Sequence, residues 1–238
     1  MSKIEIGHGS GGRLTKELIE GLFLKYLKCD ELKPLEDASY IDLESKRSAI
    51  TTDSYVIRPL FFPGGDIGKL CVCGAVNDLA VSGARPRYLS LGFIIEEGFP
   101  FESLEKILKS ISETADSAGV KIVTGDTKVV EKNKCDGIYI NTTGVGDIIK
   151  PLYIKDVSDG DSVIVTGTVG DHGTAVAIAR EEFNIDSKVK SDCAALSGLL
   201  MPVFEISGVK WMRDPTRGGI ATVLAELSDH SGLGIEIF

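Results

Sequence analysis

The segment PFESLEKILKSISETADSAGVKIVTGDTK, residues 100–128, contains a helix, its stop and the strand that follows. After Pro100 the apolar residues recur at amphipathic-helix spacing, and Gly119 is expected to end that helix. They are Phe101, Leu104, Ile107, Leu108, Ile111 and Ala115. Residues 120–124 then form an apolar run that predicts a strand. A helix followed directly by a strand indicates an α/β protein.

The flanking sequence extends this pattern into two predicted domains. In the first, strands are predicted over residues 47–52, 87–95, 120–124 and 137–145, and helices over 14–27, 67–82 and 100–119. The polar, turn-prone residues 151–161 set a boundary between a first domain, 1–150, and a second, 151–238. In the second, residues 162–166 predict a strand, residues 174–183, 194–206 and 216–231 predict helices, and residues 234–238 read as the start of a strand.

Composition limits the functional class. The 238 residues are 43% hydrophobic and 26% charged, which is sufficient for a folded core. The formal charge of −9 argues against a nucleic-acid ligand, whose binding depends on lysine and arginine. The N-terminal residues contain no apolar signal core, and no apolar run has the length of a membrane span. We therefore expect a cytoplasmic protein that binds neither membrane nor nucleic acid.

The aspartates follow apolar runs or adjoin glycine. Asp53 follows one predicted strand, Asp126 follows another, and Asp78 lies in an otherwise apolar helix. Asp37 precedes a further candidate strand. Carboxylates at strand ends are suited to Mg²⁺, which prefers oxygen ligands and retains phosphates as partners. The pattern indicates a Mg-nucleotide site without a Walker loop, although Asp78 on a solvated helix face and Asp126 in a surface turn remain alternatives.

Three further motifs have both a functional and a structural reading. Lys128, two residues after Asp126, is a candidate for phosphate binding or proton transfer, or an exposed lysine. The glycine-rich stretch 167–173 could support a phosphate, but lacks the G-x-G-x-x-G spacing and is equally consistent with a structural turn. Asp214, in the segment Asp214–Gly219, is explained by helix capping alone, whereas Arg217 beside glycines suits phosphate.

The cysteines are odd in number and scattered, at positions 29, 71, 73, 135 and 193. This distribution fits reduced thiols better than a disulfide framework. Cys71 and Cys73 lack the spacing and the second pair of a zinc site, so packing is the simpler interpretation.

Five segments together resemble the HypE family of hydrogenase maturation proteins, within the PurM-like superfamily of aminoimidazole ribonucleotide (AIR) synthetase and selenophosphate synthetase. The resemblance covers nearly the whole chain. It is carried by His8-Gly9-Ser10-Gly11-Gly12, by the segment from Thr52-Asp53-Ser54 to Gly68-Lys69, by Val76-Asn77-Asp78-Leu79-Ala80, by Gly125-Asp126-Thr127-Lys128-Val129-Val130 and by Asp214-Pro215-Thr216-Arg217-Gly218-Gly219.

The resemblance implies a two-domain α/β (α+β) fold. Its first domain has a mixed sheet flanked by helices, pairs with its copy through its strands, and holds ATP near that interface. The implied metal ligands are Asp37, Asp53, Asp78 and Asp126. Residues 7–12, which we call the glycine arm, are rich in glycine and expected to be mobile, and this arm would fold over the phosphates. The implied nucleotide-binding residues are His8, Gly9, Gly11, Gly12, Asp53, Asp78, Asp126 and Lys128, with Lys128 also the candidate catalytic residue.

The resemblance also implies an activity and partners. Such proteins use ATP and Mg²⁺ to dehydrate a carboxamide on their own C-terminal cysteine to a thiocyanate, which supplies a cyanide ligand of nickel-iron hydrogenase. The implied partners are the carbamoyltransferase HypF and the HypC–HypD scaffold. Because the sequence ends at Phe238 with no cysteine after Cys193, a truncated second domain is expected. A thiamine-monophosphate kinase-like enzyme and a non-catalytic dimeric scaffold remain alternatives.

Overall fold

The computed structural model describes residues 3–10, 12–32, 38–39, 41–181, 187–216 and 218–237. The strands are β1 Ser48–Tyr55, β2 Phe61–Phe62, β3 Gly65–Asp66, β4 Ala84–Glu96, β5 Lys121–Val130 and β6 Ile138–Ile148. The α-helices are α1 Arg13–Leu18, α2 Leu24–Tyr26, α3 Ile67–Val81, α4 Phe101–Ala118, α5 Asp171–Ala179, α6 Ser197–Leu200 and α7 Gly219–Ser231. A π-helical segment, Ile19–Phe23, joins α1 to α2, so the helix predicted over residues 14–27 is present.

Four strands form one mixed sheet in the order β1-β6-β4-β5. β6 pairs antiparallel with both β1 and β4, whereas β4 and β5 are parallel and connected through α4. This β4-α4-β5 unit contains the segment 100–128, from which the α/β class was predicted. The mixed sheet flanked by helices confirms the predicted fold class.

Helices α3 and α4 cover one face of the sheet. Their apolar stripes pack against alternate residues of the central strands, and these side chains are almost completely buried. The core includes Val72, Val76, Leu89, Leu91, Phe93, Ile95, Leu104, Ile107, Leu108, Ile111, Ile138 and Ile140. Asp66 caps α3 by accepting from the amides of Gly68 and Lys69, and Gly119 ends α4 with φ 70°, as predicted.

The opposite face of the sheet, which we call the open face, exposes several large apolar side chains. Ile50 is 74% exposed, Ile94 is 43% exposed, and Val56, just after β1, is 62% exposed. Polar residues that share register rows complete this face: Thr52, Ser54, Asn141, Thr143, Ser90 and Thr124. An exposed apolar and polar sheet face of this kind is typical of a surface that meets a partner.

The main strands are longer than the apolar runs predict. β1 continues to Tyr55 and β5 continues to Val130, because pairing with β6 and β4 extends each strand past its apolar segment. Asp53 and Asp126 therefore lie inside strands, and the prediction that they lie at strand ends was wrong. Strand alternation now decides which face of the sheet each side chain occupies.

The second domain differs more from the prediction. Residues 162–166 form no strand, and Ile164 is 83% exposed, because no neighbouring segment pairs with them in the described part of the chain. The predicted helix over 194–206 is divided into α6 and the 3₁₀ turn Pro202–Glu205, since Pro202 interrupts it. Residues 235–237 are not a strand. Within the described ranges, no helix is both long and apolar enough to cross a bilayer.

The contact between α3 and α4 supplies a test of this packing. A Cβ on Gly68 would lie 2.5 Å from the backbone oxygen of Ile107, whereas one on the helical Gly21 would meet nothing within 4 Å. We expect Gly68→Ala to lower the free energy of unfolding by about 1–3 kcal/mol, because the two helices must separate. The matched Gly21→Ala should change it by less than about 1 kcal/mol. Urea denaturation measures both, and equal effects would contradict this packing.

Candidate active site

Two predicted carboxylates lie together where β1 packs against α3, and each is held by a hydroxyl. Thr51 Oγ1 donates to Asp78 Oδ2 at 2.6 Å, and the Tyr55 hydroxyl donates to Asp53 Oδ2 at 3.1 Å. Because Thr51, Asp53 and Tyr55 alternate along β1, all three face the covered side of the sheet. The sequence spacing TxDxY thus places two hydroxyl donors beside two carboxylates.

Gly74 makes room for this arrangement. A Cβ at position 74 of α3 would lie 2.0 Å from the hydroxyl oxygen of Tyr55. Tyr55 is therefore packed against the helix with its hydroxyl at Asp53, and burial together with the Asp53 charge raises the pKa of this hydroxyl, which keeps it a hydrogen-bond donor. The sequence predicted a helix over residues 67–82, but not the tyrosine that packs against it at Gly74.

A third carboxylate, Asp214, belongs to the same electrostatic group. Burial, followed by the charges of Asp78 and Asp53, raises the pKa of Asp214 to about 6. Burial and the charge of Asp53 also raise the pKa of Asp78, against the opposing effects of the Thr51 hydrogen bond and of Arg213. We call Asp53, Asp78 and Asp214 the acidic cluster. Its members are mutually repulsive, so a bound cation would stabilise their charged forms.

The sequence left capping as a sufficient explanation of Asp214, and the structure does not support that reading. The N-cap of α7 is Gly218, and no side chain caps this helix. The signal for a site was available in the motif itself, because Asp214 is followed by Pro215 and by glycines, but only the fold brings it near β1 and α3.

The donor chemistry of the acidic cluster fits Mg²⁺. The cluster supplies hard carboxylate oxygens whose charge Arg213 offsets only in part. Mg²⁺ is commonly bound through one or two carboxylates, with phosphate and water oxygens completing its coordination. Among the described residues, no three histidine, cysteine or acidic side chains are arranged to hold a metal by themselves. The protein oxygens therefore suit a metal that arrives with a phosphate ligand.

The remaining described site predictions lie at the other edge of the sheet. Asp126 and Lys128 on β5 pair with Gly92 and Ile94 on β4, so alternation puts both on the open face. Gly9 approaches the same strand, since a Cβ there would lie 2.4 Å from the Val129 nitrogen. The candidate residues at this edge are thus separate from the acidic cluster.

The described part of the arm that precedes α1 is packed as a 3₁₀ turn in this structure, and its mobility stays a prediction. Residues Ile6–Gly9 form a 3₁₀ turn, and His8 is 9% exposed. The His8 ring accepts from the Glu5 amide at 3.0 Å and lies edge-on to Phe101 at 5.3 Å. Gly12 precedes α1 and has open space around it. Two predicted residues, Gly11 and Asp37, lie outside the described residues.

The strand order separates the two groups within one chain. Asp53 shares a register row with Thr142, Leu91 and Gly125, so β1 and β5 are three strand spacings apart. At about 4.8 Å per spacing, the row spans roughly 14 Å, and Asp126 and Asp53 also lie on opposite faces. A single chain therefore does not bring all the predicted site residues to one point.

Comparison with known families places the chain in a class of two-domain proteins. Residues 35–148 match the N-terminal domain of AIR synthase related proteins, and residues 158–238 match their C-terminal domain. The chain is 47% identical over 244 residues to "Carbamoyl dehydratase HypE" of Escherichia coli K12, a match that covers the whole chain and 73% of that protein. The chain belongs to the HypE family.

Solved structures agree with this assignment. A crystal structure of HypE in complex with ATP is 45% identical, with a TM-score of 0.92 over 95% of this chain and 68% of that one. A crystal structure of a HypE–HypF complex is 51% identical, with a TM-score of 0.75 over 90% of this chain and 70% of that one. The fold and the family are therefore those expected from the five sequence segments.

The raised pKa of Asp214 predicts a pH-dependent stability difference. The neutral acid is favoured in the folded state, so its contribution to stability is complete below about pH 4 and is lost as pH rises through about 6. Without added metal, Asp214→Asn should match the wild type near pH 4 and exceed its unfolding free energy by about 1–3 kcal/mol near pH 7.

Urea denaturation at both pH values checks this difference. Asp229→Asn, at an exposed position of α7, is the control and should stay within about 0.5 kcal/mol of the wild type at both. If Asp214→Asn destabilised the protein at neutral pH, the repulsive acidic cluster would be contradicted.

Proposed function

We propose that this protein is an ATP-dependent carbamoyl dehydratase that converts a cysteine-borne carboxamide to a thiocyanate during hydrogenase maturation. The observation that carries the proposal is the pair Asp53 and Asp78, held side by side by Tyr55 and Thr51, with a charge that Arg213 offsets only in part. Several members of this family are named carbamoyl dehydratase, and one HypE was crystallised with ATP, which supports this chemistry.

The proposed reaction balances as a dehydration driven by ATP. The amide oxygen attacks the γ-phosphorus, an O–P bond forms and ADP leaves. The nitrogen then loses its two protons while the C–O bond breaks, which releases inorganic phosphate and leaves a carbon–nitrogen triple bond. The oxygen of the carboxamide thus leaves in phosphate. Positioning and electrostatic stabilisation account for most catalysis of phosphoryl transfer, which is why carboxylates without a built-in nucleophile suffice.

The chain's own residues take two roles in this proposal. Asp53 and Asp78 would hold Mg²⁺, with Asp214 beside them and Asp37 as a further predicted ligand. Mg²⁺, when bound, offsets the negative charge of the phosphates. Asp126, Lys128 and the glycine arm at His8, Gly9, Gly11 and Gly12 would contact the nucleotide, with Lys128 stabilising the transferred phosphoryl group or receiving a proton.

A homodimer would unite these roles in one site. The open face carries exposed Ile50, Val56 and Ile94, which favours burial against a second copy. A twofold axis that runs along the strands, between two open faces, would set β5 of each copy against β1 of the other. This arrangement would set Asp126 and Lys128 of one copy beside strand β1 of its partner, whose other face carries the acidic cluster, so that one nucleotide at this edge could contact both groups.

The proposal includes two protein partners. A related HypE forms a complex with HypF, so we propose that a carbamoyltransferase of the HypF type supplies the carboxamide. A HypC–HypD scaffold would then receive the cyanide ligand. We place these steps in the cytoplasm, where the five free cysteines would be kept reduced.

Subunit complementation tests the shared site. Asp78→Asn and Asp126→Asn each remove one carboxylate, and the two positions lie at opposite edges of the sheet. Each substitution alone is expected to abolish most Mg-ATP turnover, because the proposed site uses both carboxylates. A mixed dimer, co-expressed with two tags and purified through both, would have one site with both defects and one intact site. It should regain about half of the wild-type activity per dimer. Activity no higher than in the single variants would mean that each site lies within one chain.

The reaction itself is tested with a peptide that carries an S-carbamoyl cysteine. With wild-type protein, Mg²⁺ and ATP, we expect ADP and phosphate in equal amounts and a peptide that has lost one water by mass spectrometry. Asp78→Asn should lower the rate by about 100-fold or more, because the phosphate charge is no longer offset. Peptide-independent ATP hydrolysis, or a stable phosphorylated peptide, would contradict dehydration, and the latter would favour a kinase.

A further inference from the structure

A segment of the second domain, Lys190–Leu196, is bonded to the first domain at several points, and we call it the strap. The Ser191 amide donates to the Pro63 carbonyl at 2.8 Å. The Asn77 side chain donates to the Ala194 carbonyl at 3.0 Å and accepts from the Leu196 amide at 2.8 Å. An asparagine that uses both ends of its amide fixes the register of the strap against α3.

Helix geometry then places a cysteine of α3 beneath the strap. Lys69, Cys73 and Asn77 are spaced four residues apart, so they share one face of α3. Because Asn77 binds the backbone at Ala194, the preceding strap residue, Cys193, meets Cys73 one turn back along the helix. The side chains of Cys73 and Cys193 are therefore neighbours, and the charge of Lys69 acts on both thiols.

The strap is also held from the second domain. His172 lies at the start of α5, and its ring Nδ1 is 2.9 Å from Ser191 Oγ. The backbone amide of His172 donates to Asp192 Oδ1 at 3.1 Å. The same ring lies edge-on to Phe62 at 5.3 Å. The strap is therefore bonded on both sides of Cys193, which limits how far this thiol can move from Cys73.

The thiols differ in reactivity. Cys73 is 2% exposed, whereas Cys193 is only partly buried. The neighbouring Cys73 thiol and the charge of Lys69 lower the pKa of Cys193, whereas the neighbouring Cys193 thiol and burial raise the pKa of Cys73. Cys193 is consequently the thiol that ionises first and attacks an oxidant, with Cys73 poised to resolve the product.

We propose that Cys73 and Cys193 form a reversible disulfide that fastens the strap to α3. A small disulfide such as oxidised glutathione supplies the oxidising equivalents. Cys193 attacks it and releases one glutathione, and Cys73 then attacks the Cys193 sulfur and releases the second. The two protein thiols lose two electrons and two protons, and one oxidised glutathione becomes two reduced molecules. The bond would join the two domains through the turn of α3 that precedes Asp78. Its formation does not depend on the proposed function.

Peptide mapping of the native protein tests this pairing. After treatment with oxidised glutathione and alkylation, trypsin releases residues 70–87 and 191–210, which contain Cys71, Cys73 and Cys193. We expect these peptides to be linked in the wild type and in Cys71→Ala, and separate in Cys73→Ala and Cys193→Ala. Because Cys193 is held beside Cys73, the amount of the internal disulfide should exceed the amount of the mixed glutathione disulfide by roughly ten-fold or more. Dithiothreitol should restore the separate peptides.

Two outcomes would overturn the proposal. One is a stable glutathione adduct on Cys193 while Cys73 remains a free thiol in the wild type. The other is a linked pair of peptides that persists in Cys73→Ala and disappears in Cys71→Ala. That result would show that Cys71, and not Cys73, pairs with Cys193. Circular dichroism of each variant verifies that it is folded, and Cys135, in the connection between β5 and β6, serves as the internal control for oxidation without linkage.

Discussion

The pairing of β6 with both β1 and β4 determines the arrangement of the candidate site. This pairing fixes the order β1-β6-β4-β5 and places the two strands that carry aspartate motifs at opposite edges of the sheet. Hydrogen bonds along three strand pairs set the separation, so no side-chain rotation can bring Asp126 to Asp53. In the proposed site, which uses both motifs, a second copy of the chain would supply one of them.

Helix α3 connects the remaining features. One side of it packs against the sheet and α4, and this packing positions Asp78 beside Thr51 and leaves room at Gly74 for Tyr55. A different face presents Cys73 and Asn77 to the strap. The helix that carries Asp78, a predicted metal ligand, is therefore also the helix that the strap contacts.

Much of the first domain could be predicted from sequence, because its strands and helices have strong apolar periodicity. The α4 stripe, the Gly119 stop and the helix over residues 67–82 were all predicted from pattern alone. Strand order was not, since periodicity gives no information on which strands are neighbours, and so the separation of Asp126 from Asp53 was missed. The role of Asp214 also required the fold, because its partners are more than 130 residues away in sequence. The 162–166 run failed as a strand because apolar residues form a strand only where a neighbour pairs with them.

The account depends on one site being built from two copies of the chain. A crystal structure with Mg²⁺ and a non-hydrolysable ATP analogue measures this directly, through the distances from the phosphates to two carboxylates. We expect phosphate and metal contacts from Asp78 of one copy, with Asp126 of the partner subunit at the same nucleotide. A nucleotide whose contacts with Asp78 and Asp126 come from the same copy, or one bound away from the acidic cluster, would contradict the account.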